Sequence, residues 1–298
     1  MQWLQLIVGS TRDASSAIEY ALLELGAVSV TLEDAADQPI LEPGVGETPL
    51  WDNCTIKALF PDDTDTTQTT VQLEQLISRP LQSNWQQLED KDWSQEWKKY
   101  FSPMKCGERL WICPSWIEPP DANGINLSLD PGLAFGTGSH PTTRLCLEAL
   151  ETLDLKGQRV ADLGCGSGIL GIAALLQGAR SVVAADTDSL AVRATRDNAA
   201  VSGFSAQLQV ELGSVEQLAG LLDGRPADLL LCNILAPVIQ ALCPAFHTLL
   251  APHGVGLLSG LLVDQAPALQ QALLEEGWRA ELTAQQSQWG LLTIRRVA

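Results

Sequence analysis

The sequence predicts an α/β chain in two parts: a smaller α+β domain, then a doubly wound parallel sheet whose last strand runs antiparallel. Three observations predict it. From Val160 onward, strand-length apolar runs alternate with helix-length runs, as they do where helices cross over a parallel sheet. Residues 1–90 follow a β-α-β-β-α-β order of their own. At the start of the second part's alternation, Val160–Gly171 opens as an apolar strand, breaks into glycines at 164, 166 and 168, and continues as an apolar helix. Such a turn cradles a small molecule at the carboxyl edge of a parallel sheet. A length of 298 residues is comfortable for two domains.

Trp3–Val8 reads as a strand and Gly9–Asp13 as a polar turn. Ala14–Leu25 places Ile18, Ala21, Leu22 and Leu25 at helical spacing, and Gly26 ends that helix. Val28–Leu32 alternates as a strand, a Pro/Gly-rich loop spans 39–49, and Cys54–Phe60 is a further strand. Thr67–Ile77 has the helical spacing Val71, Leu73, Leu76 and Ile77, with a last short strand at Asn84–Leu88. This order is ferredoxin-like, and no chemical group recurs in it, so residues 1–90 are expected to recognise or pack. Glu89–Tyr100 is charged but carries Trp93 and Trp97 four residues apart with Phe101 in the same stripe. A connector helix over 91–105 is expected there. Arg109–Cys113 and Gly124–Leu129 read as strands entering the second domain, residues 106–298.

Asp130-Pro-Gly-Leu-Ala-Phe-Gly-Thr-Gly-Ser-His-Pro-Thr-Thr-Arg is a shaped loop running into a helix over Thr142–Leu153, with Pro141 suited to its first turn. Lying just before the first sheet strand, the loop should sit near the glycine turn. Thr142 or Thr143 offers a hydroxyl there, and Phe135 or His140 a planar surface. A plain helix cap at Ser139 or His140 is the alternative. The expected strands after Val160 are Ser181–Ala185, Leu208–Leu212, Asp228–Cys232 and Val255–Leu262, closed by a hairpin of Arg279–Leu282 with Gln288–Ile294. Helices are expected at Ile169–Leu176, Ser189–Val201, around Pro237–Leu250 and at Gln265–Glu276. Gly164, Asp186 and Asn233 then fall at strand carboxyl ends, where ligands sit.

The turn is not the dinucleotide fingerprint, whose third small position is occupied here by Ile169. It carries Asp162 instead, giving D-x-G-x-G-x-G, and a carboxylate there suits a ligand with an ammonium group. This resembles motif I of the class I S-adenosylmethionine-dependent methyltransferases, with their Rossmann-like sheet. Asp186 is placed to bind ribose hydroxyls. Asn233-Ile-Leu-Ala keeps the polar head of the N/D-P-P-Y/F motif of amide and base methyltransferases but loses both prolines and the aromatic residue. A flat, stacked substrate is therefore disfavoured, and Asn233 can also cap the following helix.

A net charge of −18 disfavours a nucleic-acid backbone and favours a basic partner. Seven cysteines without a C-x-x-C pair and three scattered histidines point to reduced thiols in a cytoplasmic protein with no metal site. No apolar run is long enough to span a membrane, and the amino terminus lacks the basic region of a signal peptide.

Asp130–Arg144, the glycine turn and Asn233-Ile-Leu-Ala together resemble, over essentially the whole chain, the bacterial methyltransferases of large-subunit ribosomal protein eleven. The resemblance implies trimethylation of lysine ε-amines and the amino-terminal α-amine of that protein, free or in the ribosome, with the amino-terminal domain gripping it. S-adenosylmethionine would contact Thr143, Gly164, Asp186 and Asn233, and S-adenosylhomocysteine would be the product. The residues themselves add Phe135, Asp162, Gly166 and Gly168 to the cofactor site, with Asn233 and His140 as catalytic candidates and His140 as a weak proton acceptor. They leave open an amine methyltransferase acting on another protein or a small molecule, and a module that binds S-adenosylmethionine without transferring its methyl.

Overall fold

Strand β1 (Trp3–Thr11) runs directly into helix α1 (Arg12–Glu24), followed by β2 (Ser29–Asp34), β3 (Asn53–Pro61), α2 (Thr66–Leu76) and β4 (Ser83–Leu88). The computed structural model describes residues 3–35, 50–88, 101–130 and 135–297, and divides into two units, 1–98 and 99–298. In the first unit the sheet order is β2-β3-β1-β4, antiparallel throughout. Alternation along β1 and β3 turns Leu6, Val8, Ile56, Ala58 and Phe60 to one face, where Ile18, Leu22 and Leu73 of the two helices cover them. The polar turn expected at Gly9–Asp13 is absent. Gly9, Ser10 and Thr11 stay in register with Thr55, Cys54 and Asn53, because cross-strand pairing does not depend on apolar side chains. Asp65 caps α2 by accepting from the Thr67 and Gln68 amides, each at 3.0 Å.

The second unit starts with a three-stranded sheet, β5 (Met104–Cys106), β6 (Leu110–Cys113) and β7 (Ile125–Ser128), with β6–β7 parallel. The expected connector helix, with Trp93 and Trp97, lies outside the described residues except at its end. There Met104 and Lys105 belong to β5, paired with Ile112 and Trp111, so no helix reaches 105. Helix α3 (Pro141–Leu150) comes next, and Glu151 at its end accepts from the Glu108, Arg109 and Leu110 amides at 2.7, 2.9 and 2.7 Å. One carboxylate thus ties α3 to the β5–β6 turn.

The main sheet comprises β8 (Arg159–Leu163), β9 (Ser181–Asp186), β10 (Leu208–Leu212), β11 (Ala227–Asn233), β12 (Leu250–Leu262), β13 (Trp278–Gln286) and β14 (Trp289–Arg296). Between the strands run α4 (Ile169–Leu176), α5 (Ser189–Val201), α6 (Val215–Leu222), α7 (Ala236–Leu242), α8 (Phe246–Leu249) and α9 (Ala266–Glu275). Its order is β10-β9-β8-β11-β12-β14-β13, with β14 antiparallel to both neighbours. Apolar layers cover both faces, which is why β8, β9 and β11 are apolar without alternation. Helix α6 was not foreseen, although Ser214 and Gln217 form a capping box at its start. The helix expected around Pro237–Leu250 is split by a 3-10 turn at Cys243–Ala245, since Pro244 has no amide hydrogen to give. Leu250 already belongs to β12. Among the described residues, no helix is long and apolar enough to cross a membrane.

Candidate active site

Sheet register brings the predicted edge together. Leu163 of β8 is paired with Ala185 of β9 and with Cys232 of β11, so the next residues, Gly164, Asp186 and Asn233, emerge side by side. Asn233 in turn pairs with Ser259 of β12.

Gly164, Gly166 and Gly168 all have positive φ (75°, 54° and 80°). At Gly166 the reason is visible: an added Cβ would lie 2.5 Å from the Phe135 carbonyl oxygen. The Gly166 amide donates to Asp186 Oδ2 at 2.8 Å, and the Asp188 amide to Oδ1 at 3.0 Å. Asp186 is thereby fixed at the rim, half-buried, with a further lone pair on each oxygen for a ligand hydroxyl.

Asp162, one strand residue before Leu163, is set deeper than these three. It is 1 % exposed and lies beneath the turn, where Oδ2 accepts from the Gly171 amide at 3.2 Å. Burial pushes its carboxyl up to about 7; the Asp186 charge adds to this and the Gly171 amide opposes it. Folding therefore raises this group above its unfolded value, and the folded state holds the proton more tightly. Between about pH 4 and pH 7 its ionisation lowers stability as pH rises, by up to about 4 kcal/mol. We expect Asp162→Asn to flatten the stability-versus-pH curve in that window, measured by urea denaturation at several pH values.

The loop before α3 is laid on the glycine turn. The Ser167 amide donates to the Phe135 carbonyl at 2.9 Å, and Ser167 Oγ to the Gly136 carbonyl at 2.6 Å. Sequence reasoning passed over Ser167, which looks like filler between glycines. Ser167→Ala should cost about 1–2 kcal/mol of stability and weaken cofactor binding by roughly tenfold as the loop loosens, read by calorimetric titration.

Thr143, fully buried in the first turn of α3, accepts from Asn233 Nδ2 at 3.3 Å. The other amide atom, Asn233 Oδ1, is buried without a hydrogen-bond partner. His140 caps α3: its Nδ1 accepts from the Thr142 amide at 3.4 Å and lies 2.7 Å from Thr142 Oγ1. An Nδ1 that accepts from an amide carries no proton, so the neutral ring is protonated at Nε2. Burial lowers the His140 pKa. Its ring lies edge-on between Phe135, 5.4 Å away, and Trp289, 4.9 Å away. Trp289 carried no signal in the sequence.

The residues present fit a nucleoside-bearing ligand with a reactive end at Asn233. The glycine-opened turn would receive its body and the fixed Asp186 carboxylate its hydroxyls, while Asn233 Oδ1 has no protein partner. Comparison with known proteins gives the same direction. Residues 2–297 match the family model described as ribosomal protein L11 methyltransferase (PrmA). A ribosomal protein L11 methyltransferase of Synechococcus sp. (strain RCC307) is 60 % identical over 214 residues, 71 % of either chain. That of Hahella chejuensis (strain KCTC 2396) is 44 % identical over 297 residues, covering 100 % of this chain and 99 % of its own. The crystal structure of a ribosomal protein L11 methylase from Lactobacillus delbrueckii subsp. bulgaricus is similar at TM-score 0.59 and 33 % identity, over 66 % of this chain and 100 % of that one. With the sheet order, the glycine turn and the match from end to end in agreement, the chain belongs to the ribosomal protein L11 methyltransferase (PrmA) family.

Proposed function

We propose that the chain transfers methyl groups from S-adenosylmethionine to ribosomal protein L11, at lysine ε-amines and the amino-terminal α-amine, up to the trimethylated state. One observation carries the reading at this site: the buried, unpartnered Asn233 Oδ1, held at the sheet edge beside the glycine turn. When bound, S-adenosylmethionine supplies a methyl group on positively charged sulfur and leaves as S-adenosylhomocysteine. Asp186 would hold the ribose hydroxyls, with Gly164, Gly166, Gly168, Thr143 and the Phe135 ring around the remainder.

Asn233 Oδ1 accepts an N–H of the incoming amine and so aims its lone pair. Neutralising a lysine with a reference pKa near 10.4 at pH 7 costs about 4–5 kcal/mol. A carboxylate beside the amine would raise that cost, and Asn233 supplies an acceptor without a charge. His140, with Nδ1 committed to Thr142 at the helix cap, steadies the first turn of α3 that carries Thr143 rather than taking the proton. The proton goes to water, and alignment of the reactants does the catalytic work.

The amino-terminal part, residues 1–90, is read as the recognition domain and residues 106–298 as the catalytic one. Unit 1–98 holds 17 acidic and 5 basic residues, a net charge of −12 (5 − 17) out of the chain's −18. A strongly acidic unit attracts a basic protein, free or ribosome-bound, and repels RNA phosphates. All seven cysteines are free and buried, which suits action in the cytoplasm. Incubating the pure chain with labelled S-adenosylmethionine and undermodified L11, then mapping methyls by mass, should give trimethylated amines. No incorporation would overturn the reading.

A further inference from the structure

Trp289 opens β14 at the same sheet edge as Asn233, two strands across. It pairs with Leu262 of β12, and the next residue, Gly290, accepts through its carbonyl from Ser259 Oγ at 2.8 Å. Ser259 is the register partner of Asn233. The β12–β14 ladder slips between Leu258 and Leu261, a bulge of the kind that re-aims side chains beside active sites. Across the edge, Trp289 meets His140 at 4.9 Å, and His140 meets Phe135 at 5.4 Å. His140 is one turn from Thr143, which holds Asn233. Trp289 is half-buried, packed against the main core on one side, and Phe135 is 57 % exposed.

Repeated methylation creates a recognition problem that Asn233 alone does not solve. Each transfer forms one N–C bond with the nitrogen lone pair and breaks one S–C bond, whose electrons stay on sulfur. Nitrogen sheds a proton to water before each attack, and after the third it has no hydrogen left. The amine thus loses its N–H donors to Asn233 Oδ1 as methyls accumulate. Aromatic faces hold methylated cations without any N–H, and they do so without the full negative charge that would keep the amine protonated.

Resting on the amine-methylation reading above, we propose that Trp289, braced by His140, forms with Phe135 an aromatic wall that retains partly methylated amines and sets how many methyls each receives. The test uses the full chain, S-adenosylmethionine and undermodified L11, with intact-mass time courses for wild type, Trp289→Leu and Trp289→Phe. In Trp289→Leu the ratio of third-transfer to first-transfer rate should fall about fivefold or more, with mono- and dimethyl forms accumulating. Trp289→Phe should keep the wild-type ratio within about twofold. Should Trp289→Leu fail to fold, Trp289→Met, which keeps an unbranched apolar side chain without the aromatic face, reads out the same fall. Equal slowing of all three transfers, or the Phe variant behaving like the Leu variant, would overturn the proposal. Failure of the wild type to methylate anything would instead overturn the activity on which it rests.

Discussion

Replacing Asn233 with alanine lowers kcat/KM at least about 100-fold while the unfolding transition stays nearly in place. The asymmetry follows from what the side chain does. Its Nδ2 makes one long hydrogen bond, 3.3 Å to Thr143 Oγ1, and its Oδ1 makes none. Removing the amide therefore costs the fold about 1 kcal/mol. The reaction loses the acceptor that aims the nucleophile, and a misdirected lone pair is expensive. Asn233→Asp separates aiming from charge. The carboxylate keeps an acceptor but favours the protonated amine, raising the pKa of the group that must be neutral. Its rate should be depressed at pH 7 and recover as pH rises, displacing the pH–rate profile upward relative to wild type. A profile unmoved in Asn233→Asp, or near-normal turnover in Asn233→Ala, would remove Asn233 from the mechanism.

Gly260→Ala carries the largest expected cost in stability. Gly260 sits in β12 at the bulge, with φ +85°, and an added Cβ would lie 2.3, 2.7 and 3.0 Å from the O, C and N of Ile234. All three are backbone atoms directly after Asn233, so no side chain can swing away. Left-handed strain and overpacking together predict a loss of about 2–5 kcal/mol. Relief of the clash moves the 233–234 segment, so activity should fall further than the loss of folded protein explains. Urea denaturation together with kcat on the remaining folded fraction checks both parts.

The edge was legible wherever an apolar strand gives way to a polar or glycine residue. Gly164, Asp186 and Asn233 each stand at such a break, and the parallel register does the rest. The loop before α3 was legible from its glycines and prolines, but not its attachment through Ser167, which depends on where two turns meet. The depth of Asp162 was hidden because β8 is covered on both faces and has no polar side to reveal by alternation. The start of β12 was hidden too: Pro252, His253 and Gly254 look like a turn, yet Leu250 already pairs with Ala227. Gly260 was readable in principle, since a glycine inside an apolar strand marks a close approach of backbone. Trp289 was not, because its neighbours follow from β14 lying between β12 and β13, and no local pattern states that order.

A crystal structure grown with saturating S-adenosylhomocysteine bears most directly on the account. The ribose hydroxyls should lie within hydrogen-bond distance of Asp186 and the sulfur should face Asn233. A ligand bound elsewhere, or an edge left empty at that concentration, would contradict it.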